Sequence, residues 1–202
     1  MEAKMKKRIG YLLMLAGFVI LFFVWKESSE TTSKQEEMIK QMEALATEQK
    51  QPGSDGDGGG SVFELPEVDG KQVIGVLTIP KIDLKVAIVE GATLADIKNA
   101  VGHLSESGKL GVVNNNFVIL GHNSHTSGQF FDRLDELEPG DQYTIQTPSE
   151  TYEYTIFKRK IISPAQLEVL EPIKDRSIVT LITCYPNYSS KQRLVLFAEK
   201  NS

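Results

Sequence analysis

The sequence predicts a mainly β domain that follows an N-terminal transmembrane helix. Residues 9–25 carry no charge, residues 51–61 are rich in glycine, and short β-branched or aromatic runs recur between residues 72 and 199. Many short strands within roughly 140 residues favour a closed or nearly closed β-barrel, or a sandwich.

The composition is that of a globular protein with an acidic balance. The chain has 202 residues, 41% of them hydrophobic, and a formal net charge of -5. Basic residues form no patch outside the first ten positions. Nucleic acid is therefore not an expected partner.

The first 25 residues predict a membrane anchor. A basic tail, residues 1–8, precedes the run "IGYLLMLAGFVILFFVW" at 9–25, which as a helix would reach about 26 Å, the short end of what spans a bilayer. The chain is therefore expected to cross the cell membrane once. The positive-inside rule puts its N-terminus in the cytoplasm and the residues after the anchor on the extracytoplasmic side. A cleaved signal peptide is the alternative, but the run ends in "FFVWKE" and lacks the small residues that cleavage requires.

Residues 26–60 are expected to form a polar stalk and a glycine-rich linker. Met38, Met42 and Leu45 have helical spacing, which allows a short stalk helix that could pair with a second copy; a solvated, fraying segment is favoured. "QPGSDGDGGGS" then reads as a flexible linker. A chain starting near Ser61 is therefore expected to fold and act alone.

The extracytoplasmic domain, residues 61–202, contains the strand signals. Helical signals are few and short: "TLADIKNA" starts with a capping-box pattern at Thr93 and Asp96, and residues 128–137 and 164–170 could each form two or three turns. The expected strands are 72–79, 85–90, 116–121, 142–147, 151–162, 177–183 and 193–199.

Three chemically active side chains lie at the ends of predicted strands. Cys184, the only cysteine, ends one apolar run, His122 follows another, and Arg193 opens a third. Such residues can meet at one rim of a barrel. A thiol becomes a nucleophile when its pKa is lowered or a base lies within reach, and an arginine can hold a developing oxyanion. A lone cysteine by itself is more often an inert buried thiol.

These motifs, in this order, resemble those of the sortases, membrane-anchored cysteine transpeptidases. "TLITC" at 180–184 with Arg193 resembles the TLxTC…R signature, and "VILGH" followed by "FFDRLDELEPGD" resembles the histidine motif. "IPKIDLKVAIVEGA" at 79–92 is similar to the early strands. The resemblance covers about residues 72–199 and is strongest to class D, with class A or E as alternatives.

The resemblance implies an eight-stranded β-barrel that cleaves an LPxT(G/A) sorting signal after threonine. Cys184 would attack the carbonyl, His122 would protonate the leaving amine, and Arg193 would position the substrate or stabilise the oxyanion, with support from Thr183. An amine of cell-wall peptidoglycan would then resolve the thioacyl enzyme. The implied partners are surface proteins with such signals and a peptidoglycan precursor.

The sequence departs from the family pattern at two places and contains two further histidines. Asn123 stands where many sortases have arginine, and "NNNF" at 114–117 replaces a Gly-Asn pair. His125 could form an H-x-x-H metal pair with His122, without an evident third ligand. His103 is expected to be structural.

No cofactor is expected, and calcium activation stays open because the acidic loops lack a recognisable ligand spacing. Asp55 and Asp57 start an EF-hand pattern that fails at Gly59 and Pro66. Two other functions remain: a membrane-tethered binding domain in which Cys184 is inert, and a purely hydrolytic cysteine peptidase. The variable residue of the signal, Gly or Ala after threonine, and the acceptor amine are not predicted.

Overall fold

The computed structural model describes residues 2–48, 64–123, 130–187 and 189–201. One continuous α-helix, α1, extends from Glu2 to Glu48 and contains the predicted anchor. Among the described residues it is the one helix long and apolar enough to cross a membrane. Large apolar side chains between Tyr11 and Trp25 are exposed, as lipid contact requires.

The remaining described residues form a closed barrel of eight strands, with one short strand added. The strands follow the order β2-β3-β4-β5-β8-β9-β7-β6, and pairing of β6 with β2 closes the barrel. The short strand β1 pairs with the start of β2. The strands are β1 (Glu67–Val68), β2 (Lys71–Ile79), β3 (Leu84–Glu90), β4 (Val101–His103), β5 (Asn115–Leu120), β6 (Gln142–Gln146), β7 (Thr151–Ile162), β8 (Ser177–Tyr185) and β9 (Gln192–Lys200).

The predicted fold class, a mainly β eight-stranded barrel behind an N-terminal helix, is confirmed. Each of the seven predicted strands corresponds to a barrel strand, and no end differs by more than two residues. β4 was not predicted. It contains three residues and lies between β3, to which it is parallel, and β5, to which it is antiparallel.

The barrel interior is the main core, and β5, β8 and β9 are also covered on their outer face. Phe117, Leu181 and Leu196 point into the interior core. Val118, Ile182 and Val195 alternate with interior residues and form a second buried cluster outside. Burial on both faces explains why these strands read as almost continuous apolar runs.

The expected short helices are single 3-10 turns. Thr93 and Asp96 form the predicted reciprocal capping pair: the Thr93 amide donates to Asp96 Oδ2 over 2.9 Å, and the Asp96 amide donates to Thr93 Oγ1 over 3.3 Å. The segment they open is nevertheless only Asp96–Lys98. The other turns are Pro80–Ile82, Leu134–Glu136 and Leu167–Leu170; residues 128 and 129 lie outside the described residues.

The C-terminal part of α1 packs on the barrel. Met38, Met42 and Ala46, spaced four residues apart on one helix face, are at most 4% exposed. Met38 and Met42 belong to one buried cluster with apolar residues on and next to the early strands, at Val68, Val73, Val76, Ala87, Val89 and Ala100. The expectation of a solvated, fraying segment is therefore wrong for this part of the helix.

Two ion pairs flank this contact between α1 and the barrel. Lys34 Nζ lies 2.6 Å from Asp69 Oδ2, and Lys85 Nζ lies 2.6 Å from Glu43 Oε1. Both pairs are partly exposed, so solvent screening leaves each of them only a small contribution to stability. The apolar cluster carries most of the stabilisation of this contact.

Candidate active site

Cys184 and Arg193 face each other across two neighbouring strands. Cys184 lies next to the last residue of β8, and Arg193 is its direct partner near the start of antiparallel β9. Directly opposed residues in such a pair point to the same face of the sheet. Strand alternation puts both side chains on the outer face, in line with Ile182 and Val195.

His122 continues the same row on the other side of Cys184. β5 is parallel to β8 with Leu120 level with Ile182, and the Gly121 amide extends this ladder by donating to the Ile182 carbonyl over 3.1 Å. Extended two residues past the end of β5, this register brings His122 level with Cys184. Since neighbouring strands lie about 4.8 Å apart, His122 just after β5, Cys184 on β8 and Arg193 on β9 form one row.

The histidine can occupy this place because the preceding residue has no side chain. A Cβ at Gly121 would lie 2.6 Å from a ring carbon of Phe131, and Phe131 is fully buried in the barrel core. Any larger residue would displace either the ring or the strand end. Glycine at position 121 is therefore required by packing.

The row is partly buried, and its thiol is not in a disulfide. Cys184 is free, and all three side chains are of intermediate exposure, so a substrate can reach them. Burial lowers the pKa of His122 below its ordinary value of 6.5. The neutral imidazole is thus favoured, and the imidazolium, once formed, is a stronger acid than an exposed one.

The guanidinium of Arg193 bonds to the loop that joins β8 to β9. Its Nη1 donates to the carbonyls of Ser190 and Gln192 over 2.9 and 3.0 Å. Glu199, the carboxylate considered for an ordinary surface pair, instead lies 3.3 Å from Arg176. The loop backbone thus orients Arg193 while leaving its charge uncompensated by Glu199.

Thr183 points into the barrel and supports the histidine segment. Its side chain is 3% exposed, and its hydroxyl donates to the carbonyl of Gly121 over 2.9 Å. The hydroxyl therefore bonds to the peptide before His122. It lies on the face opposite the Cys184 side chain.

Asn123 links the histidine segment to the cysteine strand, a role that was not predicted. Its Nδ2 donates to the Cys184 carbonyl over 3.1 Å and to Asn187 Oδ1 over 2.8 Å. A signal was present in the sequence, because Asn123 replaces the family's usual arginine. That departure alone could not show which atoms the amide contacts.

His103 stands apart from the row and is held by contacts of its own. His103 Nδ1 lies 2.9 Å from Glu90 Oε2, its Nε2 lies 3.1 Å from Ser107 Oγ, and its ring stacks on Phe117 at 4.0 Å. These contacts account for His103 as a structural residue. His125 lies outside the described residues, so the structure does not test the H-x-x-H pair.

Comparison with known proteins identifies the family. The family model described as the sortase domain matches residues 77–201. Sortase D of Bacillus subtilis is 30% identical over 90% of this chain and 90% of its own length. Sortase SrtE1 of Streptomyces coelicolor is 26% identical over 96% of this chain, which spans 56% of that protein.

A solved structure shows the same likeness in three dimensions. The sortase D5 transpeptidase of Clostridium perfringens superimposes with a TM-score of 0.68 at 25% identity, covering 84% of this chain and 99% of that one. The family match, the closed barrel and the placement of Cys184 lead to one conclusion. The chain belongs to the sortase family of cysteine transpeptidases.

Proposed function

We propose that this sortase cleaves an LPxT(G/A) sorting signal after threonine and joins the released protein to an amine of cell-wall peptidoglycan. The observation that carries the proposal is the row formed by His122 just after β5, Cys184 on β8 and Arg193 on β9. It brings a nucleophile, a proton carrier and a fixed cation to one accessible rim. The sorting signal and the class of acceptor are those typical of the sortase family.

The first half-reaction forms a thioester. The thiol proton of Cys184 passes to His122, and the thiolate attacks the threonine carbonyl. The C–N bond after threonine then breaks, and His122 returns the proton to the departing amine. The lowered pKa of His122 supports this last step, since a more acidic imidazolium donates its proton more readily.

The second half-reaction reverses the proton flow. The acceptor amine attacks the thioester carbonyl, His122 takes a proton from the attacking nitrogen, and the thiolate of Cys184 leaves. The product is an amide between the threonine carbonyl and the acceptor. Water in place of the amine would give a free acid, the outcome expected of a hydrolytic peptidase.

Arg193 serves both half-reactions as the oxyanion or substrate clamp. A planar guanidinium can hold two oxygens at once, which an ammonium cannot. The two bonds from Nη1 to the loop carbonyls leave other guanidinium N–H groups to bond substrate oxygens. Thr183 acts as a positioning residue through its bond to the Gly121 carbonyl.

The anchor helix places this chemistry at the membrane. Basic residues before position 9 and the apolar run that follows favour a cytoplasmic N-terminus and an extracytoplasmic barrel. Exported substrates and wall precursors meet on that side. The likeness to two class D sortases favours class D, with class E supported by the Streptomyces relative.

The test is a product analysis with the detergent-solubilised full chain. A peptide library with LPxT(G/A)-like sequences is incubated with and without an amine acceptor, and the products are read by mass spectrometry. We expect cleavage after threonine and an amide product when the amine is present. Free acid as the product in both reactions would favour a hydrolytic peptidase. If no peptide is cleaved and Cys184 also resists alkylation by iodoacetamide, a binding domain would be favoured.

A further inference from the structure

The helix α1 holds the barrel close to the end of the anchor. The apolar run of the anchor ends at Trp25, and Thr31 Oγ1 donates to Asn99 Oδ1 over 3.4 Å. The six residues from Trp25 to Thr31 correspond to about 9 Å of helix. The polar layer on each side of the hydrocarbon core is about 5–8 Å thick. With α1 across the bilayer, Asn99 therefore lies close to the outer surface of the headgroup layer.

The contacts along α1 show which end of the barrel lies nearest to the anchor. Glu43, far from the anchor, pairs with Lys85 near the start of β3. Lys34, closer to the anchor, pairs with Asp69 in the turn before β2. Because β2 is antiparallel to β3, this turn is level with the end of β3. β3 therefore runs toward the anchor, and we call the end of the barrel at which β3 finishes the anchor end.

The catalytic row lies at the opposite end of the barrel. β4 is parallel to β3 and antiparallel to β5, and β5 is parallel to β8. β5 and β8 therefore run away from the anchor. His122 just after β5 and Cys184 near the end of β8 then lie at the far end, which we call the row end.

The connection between β3 and β4, residues 91–100, begins at the anchor end and exposes a leucine. Leu94 is 78% exposed, the largest value for a large apolar side chain among the described residues after the anchor. A single exposed leucine is ordinary on a protein surface. Its position beside the anchor is what distinguishes Leu94.

Leu94 belongs to a fixed turn. The Thr93 amide donates to Asp96 Oδ2 and the Asp96 amide to Thr93 Oγ1, which closes the turn around Leu94. Lys71 Nζ, at the start of β2, donates to the carbonyl of Asp96 over 2.9 Å and also to that of Ala95. Since the turn is already ordered, burying its leucine in another phase costs little further ordering.

A second connection at the anchor end also exposes apolar side chains. Residues 104–114 join the end of β4 to the start of β5, and Val112 and Val113 are 44% and 54% exposed. After the anchor, the described residues include five exposed large apolar side chains. Three of them, Leu94, Val112 and Val113, thus lie on the two connections at this end.

We propose that the anchor end of the barrel rests on the bilayer that holds α1, with Leu94 inserted among the lipid headgroups and the catalytic row facing away from the membrane. The inference rests on the proposed anchoring by α1 and not on the catalytic chemistry. Lipid is the partner because the anchor already fixes the bilayer beside this turn. Apolar contact is the main contribution, since Asp69, Lys71 and Lys98 at this end carry charges of both signs.

The test measures the depth of a fluorescent label in the full chain, reconstituted into lipid nanodiscs. Cys184→Ala removes the only cysteine, and Ala95→Cys then supplies one labelling site beside Leu94. Ala95 is exposed, and the substitution retains the carbonyl that Lys71 contacts. The label is bimane, and the quencher is a phosphatidylcholine with a nitroxide on its headgroup.

Two other labelling sites provide the references. Lys26→Cys reports directly after the apolar run of the anchor, and Lys191→Cys reports on an exposed position of the loop between β8 and β9 at the row end. We expect the label at Ala95→Cys to be quenched nearly as strongly as that at Lys26→Cys and several-fold more than that at Lys191→Cys. Each labelled chain should keep the Tm of the Cys184→Ala parent.

Two matched substitutions in the Ala95→Cys chain test the leucine itself. Leu94→Glu replaces the apolar side chain by a carboxylate, which is costly to bury. Leu167→Glu makes the same change at another accessible leucine, 64% exposed, on the connection between β7 and β8. Leu94→Glu should remove most of the quenching at Ala95→Cys, and Leu167→Glu should leave it unchanged.

The possible results separate the inference from the anchoring on which it rests. If Lys26→Cys is strongly quenched but Ala95→Cys no more than Lys191→Cys, the inference is overturned and the anchoring stands. Quenching at Ala95→Cys that Leu94→Glu does not reduce also overturns the inference. Absence of quenching at Lys26→Cys overturns the proposed anchoring and the inference with it. Strong quenching at Ala95→Cys that only Leu94→Glu removes supports both.

Discussion

The contact between α1 and the barrel gives a stability prediction that the sequence alone would not make. Met42 is 0% exposed and packs with Met38 and the outer faces of β2 and β3. Truncating a fully buried methionine to alanine costs about 2–5 kcal/mol. For a domain of this size each kcal/mol shifts Tm by about 2–4 °C, so Met42→Ala should lower Tm by about 4–20 °C.

The decrease in Tm has an upper limit, because the helix can detach from the barrel before the barrel itself unfolds. A chain starting near Ser61 lacks the helix altogether and uncovers Val73, Val76 and Val89. It should therefore melt below the full chain, and the double variant Met38→Ala/Met42→Ala should melt no lower than this truncated chain. Peptide cleavage below the melting range should persist, since the row lies on β8, on β9 and just after β5.

The assay is thermal unfolding of the detergent-solubilised chain followed by circular dichroism at β wavelengths. Lys40→Ala is the matched control, because Lys40 is exposed on the same helix two residues away and its pair with Glu36 is a surface pair. The reasoning is refuted if Met42→Ala and Lys40→Ala have the same Tm. It is also refuted if the full and truncated chains share one Tm.

Three further predictions concern the row. His122→Ala should lose several orders of magnitude in cleavage and His125→Ala much less; equal losses would favour a metal pair. Arg193→Ala should lose at least about a hundredfold, and Arg193→Lys should recover little because an ammonium lacks the planar fork; a fully active lysine variant would show that charge suffices. Because the folded pKa of His122 lies below 6.5, its stability contribution is complete above pH 6.5 and is lost as the pH falls toward the folded pKa. His122→Gln should therefore flatten the decline of Tm between pH 7 and 5, and an unchanged slope would contradict a lowered pKa.

The strands were predictable because the residues of each one have a local pattern typical of a β-strand. Residues 177–183 and 193–199 are β-branched and apolar enough to indicate buried strands without tertiary information. β4 was missed because "VGH" is too short for any periodicity to appear. Its place is set by β3 and β5 on either side, which no local pattern records.

The docked helix was missed for a different physical reason. Met38 and Met42 form a narrow apolar stripe in a polar segment, and a helix propensity argument cannot show what such a stripe contacts. The matching evidence lay in the strands. The segment "KVAIVE" is apolar on both faces, which indicates that another element packs on the outer face of the barrel at this strand. Combining the two would have predicted the contact.

The candidate residues could be placed at strand ends, but their common row could not be derived from the sequence. That row depends on the register of β8 with β5 and β9, and a shift by one residue would turn Cys184 into the barrel. The role of Asn123 depends on contacts across more than sixty residues. Sequence spacing carries no information on such pairs.

The central claim is that Cys184 carries the substrate as a thioester, and intact-mass spectrometry tests it most directly. The full chain is mixed with a sorting-signal peptide in the absence of an amine acceptor and quenched in acid. The account predicts a species heavier by the acyl fragment that ends in threonine, lost on addition of an amine and absent from Cys184→Ala. Peptide cleavage that persists in Cys184→Ala, with no adduct on the wild-type chain, would contradict it.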